Sequence, residues 1–213
     1  MKFPNFKPLN HTKGYLKNVS NSIINNRVTQ GPKCVELEDK IKKFLKCKYA
    51  ILTTSGTSAL MMAAIASNIK PQDKVICQNL AWVAATNPFL IMGASLSTVD
   101  TLSDSVSVDI KLLEKKIIKL KPKVLILVHL NGQISSSNKI NYLKKKYKLF
   151  IIEDSAQAFL SKPIKKNAVN FDIGCYSLSF AKPIHMVYGG VCCTNDKKIA
   201  EKLNAIRSNG VFP

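Results

Sequence analysis

Only nine glycines and nine prolines occur in 213 residues, which excludes collagen-like and low-complexity chains. No run approaches the roughly 18 consecutive apolar residues that a spanning helix needs, and the opening MKFPNFKPLNHTKG has no short apolar stretch of the secretory kind. The expectation is a cytoplasmic chain with no membrane partner. None of the six cysteines (34, 47, 77, 175, 192 and 193) forms a CxxC pair, and most lie in apolar runs, where a reduced thiol packs as a small hydrophobe. Neither a disulfide framework nor a metal site is expected. Arginine is nearly missing: only Arg27 and Arg207 stand beside 30 lysines.

That last scarcity bears on the formal charge of +19, which would otherwise suggest nucleic acid. Phosphate and base recognition favours the bidentate guanidinium, and the aromatics are not interleaved with basic residues as stacking platforms require. Lys, Asn and Ile make up 68 of the 213 residues, and their codons are A/T-rich, so genomic bias accounts for the lysines. No nucleic acid partner is expected, and a basic nucleic-acid binder stays a minor alternative. Also missing are a GxxxxGK[ST] loop, a GxGxxG turn, GxSxG and HExxH, which removes the common nucleotide-binding and hydrolase readings.

What is present is alternation. Short β-like runs at 49–55, 74–78, 95–100, 123–130, 149–154, 173–179 and 189–195 are separated, over the first five, by segments of helical pattern such as TSALMMAAIASNI and IKLLEKKIIKL. This predicts an α/β fold with a seven-stranded, mostly parallel sheet flanked by helices. Only about nine residues join the last two runs, too few for a parallel crossover, so the final strand is expected to run antiparallel. Residues 35–45 read as an amphipathic helix with Val35, Leu37, Ile41, Phe44 and Leu45 inward, and residues 1–30 as a polar, irregular to helical segment.

In such a sheet ligands bind beyond the carboxyl ends of the strands. The first run is followed by SGTSAL, a glycine turn opening into a helix, whose dipole favours an anion by about 0.3–1 kcal/mol; Ser55 or Thr57 acting as a simple helix cap explains it equally well. The only tryptophan, Trp82, falls on the loop after the second strand. The fifth ends in Glu153 and Asp154, of which alternation lets only one face the site. Lys182 sits among apolar residues in SLSFAKPIHMVYGG, where desolvation would favour the neutral amine that attacks carbonyls, although an exposed loop lysine fits its position as well.

In this order and spacing, GPKCVELEDKI, SGTSAL, AWVAATNPFLIMGA, VHLNG, IIEDSAQA, YSLSFAK and YGGVCCTND make the chain from about Gly31 to Gly210 resemble the DegT/DnrJ/EryC1/StrS aminotransferases, of the aspartate-aminotransferase type I fold. The resemblance implies a large domain over 31–213 that binds pyridoxal 5'-phosphate, with Lys182 forming the Schiff base and later moving the proton. Asp154 would pair with the pyridine nitrogen, Gln157 lie near the phenolic oxygen and Trp82 stack on the ring. Thr57, Ser58 and Ser177 match the phosphate contacts. The implied reaction carries an amino group from glutamate to a keto group on a nucleotide-linked deoxysugar, in a homodimer. A branch with histidine in place of the lysine performs dehydration. Lys182 is retained here, which favours transamination, and His185 is a neighbour without an assigned role. Ala81 replaces the usual Thr before the aromatic, and Tyr176-Ser177-Leu178 stands for FSF. The family's chains are nearly twice as long, with a small C-terminal domain not represented here, so a non-catalytic remnant is the second reading.

Overall fold

The computed structural model describes residues 12–27, 29–134, 137–161, 170–180, 182, 184 and 186–210. Seven strands form one sheet: β1 (Tyr49–Thr53), β2 (Lys74–Gln78), β3 (Ser95–Val99), β4 (Val124–Val128), β5 (Phe150–Asp154), β6 (Ile173–Ser177) and β7 (Gly190–Thr194). Their spatial order is β1-β7-β6-β5-β4-β2-β3. β7 is antiparallel to both neighbours, and every other pairing is parallel. All seven expected strands are present, and the short β6–β7 connection reverses direction as its length requires.

The strands are apolar on both faces because helices cover both. Along β4, Val124, Ile126 and Val128 pack with α3 (Gly56–Ala66), α4 (Asn87–Ile91) and α7 (Lys197–Arg207), while Leu125 and Leu127 join Leu113, Ile117, Ile140 and Leu143 from α5 (Ile110–Leu120) and α6 (Ser137–Tyr147) on the other face. α3 carries no charged residue, and seven of its eleven residues are buried, as befits a helix covered on nearly all sides. Asp109 and Asp196 start α5 and α7 by accepting backbone N–H bonds, from Lys111 and Leu112 and from Ile199.

Within the stretch read as irregular to helical, Thr12–Ile24 forms a helix, α1; its interior from Tyr15 to Ile24 contains neither Gly nor Pro to break it. One expectation is corrected. In α2 (Pro32–Leu45), Ile41 and Leu45 are buried one turn apart and Leu37 is half-buried on the same row, but Val35 and Phe44 are exposed. At about 100° per residue, Phe44 lies beside that row rather than on it, and its ring stacks on Phe159 at 5.6 Å. Five of the six cysteines are buried and Cys34 is half-buried. Among the described residues no helix is long and apolar enough to cross a membrane, and no cluster of His, Cys, Asp or Glu fits a metal.

Candidate functional site

The carboxyl ends of β1, β4, β5 and β6 open on one cavity of about 580 Å³, within the roughly 300–1,000 Å³ usual for small-molecule sites. Two glycines bring its walls together. A Cβ on Gly56 would lie 2.8 Å from Ser177 Cβ, and one on Gly190 would lie 2.2 Å from the Ser55 carbonyl oxygen. Lacking side chains, both let the first turn of α3 press against the ends of β6 and β7. Ser55 Oγ then accepts the N–H of Ser58 at 3.0 Å, and Ser55 O accepts that of Ala59 at 3.0 Å. The N–H groups of Gly56 and Thr57 have no acceptor inside the helix, and both residues line the cavity.

Of the seven residues expected from sequence, Thr57, Trp82, Asp154, Gln157, Ser177 and Lys182 line this cavity. Ser58 does not: its hydroxyl lies 2.9 Å from both Thr54 Oγ1 and Ser55 Oγ and completes the turn instead. Trp82 stands 72% exposed at the mouth, just before a 3-10 turn over Val83–Ala85. Lys182 is half-buried rather than enclosed, because its apolar neighbours Phe180, Ile184, Met186, Val187 and Tyr188 are themselves exposed. Its N–H donates to Ser179 O at 2.9 Å in the turn that leaves β6. His185 lies outside the described residues.

Asp154 forms the floor. Only 6% exposed, its carboxyl is pushed above the usual carboxylate range by burial; the N–H of Ala156, 3.1 Å from Oδ1, and the charges of His129 and Lys182 pull the other way. Glu153 points away, as strand alternation requires, and accepts the N–H groups of Asn170 (3.0 Å) and Phe171 (3.2 Å). Gln157 Oε1 accepts the N–H of Asn131 at 2.8 Å, which leaves its amide NH₂ as the remaining donor.

Sequence reasoning passed over His129 and Tyr188, which also line the cavity. His129 is 2% exposed, its Nε2 is 3.1 Å from Glu153 Oε1, and its Nδ1 is buried without a protein partner. An unmet buried polar atom of this kind costs about 1–3 kcal/mol. The donors at the α3 turn suit a phosphate, the floor carboxyl suits a heteroaromatic N–H, and the wall lysine suits a carbonyl. Together they fit a pyridoxal phosphate.

A family model described as DegT/DnrJ/EryC1/StrS aminotransferase matches residues 10–213. The UDP-2-acetamido-2-deoxy-3-oxo-D-glucuronate aminotransferase of Pseudomonas aeruginosa is 33% identical over 182 residues, 84% of this chain and 50% of that protein. The GDP-perosamine synthase of Caulobacter vibrioides is 32% identical over 180 residues, 84% of this chain and 48% of that one. The chain thus spans about half the length of the curated relatives it matches. Among solved structures, Helicobacter pylori PseC, an aminotransferase involved in the biosynthesis of pseudoaminic acid, superposes with a TM-score of 0.85 at 26% identity over 99% of this chain and 56% of its own. Bacillus subtilis ntda with bound cofactor pmp gives 0.84 at 26% identity over 93% of this chain and 45% of its own.

Proposed function

The chain belongs to the DegT/DnrJ/EryC1/StrS aminotransferase family, and from that premise we propose that its cavity holds pyridoxal 5'-phosphate and serves amino transfer from glutamate to a keto group on a nucleotide-linked sugar. The observation that carries this reading is the convergence of Lys182, Asp154 and the α3 turn on one cavity. The cofactor supplies a reactive carbonyl and a ring that withdraws electrons. Lys182 would hold it covalently and, with its amine free, would be the base that moves a proton at the substrate carbon. Asp154 would hold the ring nitrogen. The N–H groups of Gly56 and Thr57 and the hydroxyls of Thr57 and Ser177 would hold the phosphate, Trp82 would pack on the ring, and the Gln157 amide would donate to the phenolic oxygen.

In this reading residues 31–213 are the cofactor-binding large domain. The exposed apolar rim of Trp82, Val83 and Tyr188 suits a homodimer that closes the site across its subunits. The test is a single turnover: the purified chain, loaded with pyridoxal phosphate and freed of excess, is mixed with glutamate. One 2-oxoglutarate per loaded chain, absent in Lys182→Ala, is the expected result. Tight cofactor binding without 2-oxoglutarate would make the chain a non-catalytic relative.

A further inference from the structure

We propose that the outward face of α5 and α6 docks on the surface of an anionic phospholipid membrane, an inference independent of what the cavity holds. The two helices lie side by side on one face of the sheet, packed there through Leu113, Ile117, Ile140 and Leu143. Residues 110–148, which contain both, hold eleven lysines against a single acid, Glu114, and so carry ten of the chain's nineteen net positive charges. The other twelve acids all lie outside this stretch. A genomic preference for A/T-rich codons adds lysines throughout a chain; it does not gather them where acids are missing.

Four of the eleven lysines are engaged. Lys123 pairs with Asp73 at 2.6 Å, Lys146 with Glu114 at 3.0 Å and Lys144 with Asp172, and Lys116 Nζ donates to the Thr98 carbonyl oxygen. The other seven are exposed and have no partner among the described residues. At about 100° per residue, Lys111, Lys115 and Lys119 point away from the buried Leu113 and Ile117, with the exposed Leu112 and Ile118 on either side of them. On α6, Lys145 shares the outer side with the exposed Tyr142, opposite Ile140 and Leu143. Free lysines around exposed apolar side chains suit a layer of anionic headgroups over acyl chains, for which clusters of about four to eight basic residues suffice.

The chemistry of the face selects lipid over nucleic acid. Lysine serves a diffuse headgroup layer, whereas nucleic acid recognition draws on the guanidinium, and neither helix carries an arginine. Lys146 Nζ stands over the rings of Tyr142 and Tyr147, 5.2 Å and 5.0 Å from their centroids, where bases would stack. At the ends of the helices, Ile117, Ile118, Pro122, Tyr147 and Leu149 line a cleft of about 340 Å³ with Lys121 beside it, apolar room next to a cation that suits an acyl chain below its phosphate. Both helices lead into the amino ends of strands, β4 and β5, so this cleft lies at the end of the sheet opposite the candidate cavity, and docking leaves the cavity open. Contact is with the surface alone, since no described helix is long and apolar enough to cross.

The test is co-sedimentation of the whole chain with vesicles at roughly 0.15 M salt, where long-range attraction is screened as in a cell. The expected result is binding to vesicles of equal parts phosphatidylcholine and phosphatidylglycerol and none to phosphatidylcholine alone. Lys115→Gln, Lys119→Gln and Lys145→Gln together should weaken that binding at least about tenfold. Lys17→Gln, Lys43→Gln and Lys198→Gln, on α1, α2 and α7, remove the same charge and should weaken it no more than about twofold. All six lysines are exposed, so both triple variants should keep the wild-type urea midpoint. Absence of binding to the mixed vesicles overturns the proposal, and so does an equal loss in the two variants, which would trace the attraction to overall charge rather than to this face. Single-stranded RNA that displaces the chain from the vesicles at equal phosphate concentration would make the partner a nucleic acid and overturns it as well.

Discussion

Gly190 and Ser55 meet backbone to backbone: a single added carbon on Gly190 would stand 2.2 Å from the Ser55 carbonyl oxygen and 2.7 Å from the Gly56 nitrogen. Both obstacles are main chain and cannot swing aside. Gly190→Ala is therefore expected to push the first turn of α3 off the end of β7, costing about 1–3 kcal/mol as overpacking does. Urea unfolding should show the lower midpoint, and affinity for pyridoxal phosphate should fall with it, because the displaced turn carries the phosphate donors. Unchanged values of both would remove the close approach from the account.

Asp154 should make the ligand-free fold less stable as the solution becomes less acidic. Its folded-state carboxyl is raised above the ordinary 3.8 by burial. The unfolded chain thus releases this proton first, and between 3.8 and the raised folded value stability falls with rising pH. Below that window both states are protonated and the effect vanishes. The difference between wild type and Asp154→Asn isolates it: the variant should gain stability relative to wild type on going from acid to neutral pH while losing cofactor affinity. A pH-independent difference would contradict the burial argument. Carboxylates that lysines hold below their ordinary values, such as Asp73 beside Lys123, act in the opposite direction and cancel in this comparison.

Trp82 separates stability from binding. At 72% exposure it supports little of the core, and Trp82→Ala should change unfolding free energy by no more than about 0.5 kcal/mol. Stacking on an aromatic ring is worth about 0.5–1.5 kcal/mol, so pyridoxal phosphate should bind roughly twofold to tenfold more weakly. As the only tryptophan, it also makes wild-type fluorescence a direct reporter of cofactor at the mouth. Binding without quenching would place the ring elsewhere.

The sheet was legible because each strand is a compact apolar run between helical segments, and the antiparallel β7 followed from a connection too short to cross over. α7 was not read: its lysines mask the buried Ala200 and Leu203, and only the Asp196 cap marks its start. Val35 and Phe44 were misplaced because periodicity defines a stripe but not its width. Six of seven candidate site residues reach the cavity since strand ends and the α3 turn place them locally. Ser58 escaped because a hydroxyl in a first turn can serve the turn itself. His129 depends on Glu153, 24 residues away, and that meeting is created by the β4–β5 register, which no local pattern reveals.

The central claim is that one lysine among thirty anchors the cofactor, and reductive trapping tests it most directly. The chain is incubated with pyridoxal phosphate near stoichiometry, reduced with borohydride and digested, and the modified peptide is located by mass spectrometry. The account predicts one phosphopyridoxyl group per chain, on Lys182, lost in Lys182→Ala without appearing elsewhere. Label scattered over the exposed lysines of the helices, with Lys182 no more modified than they are, would contradict it.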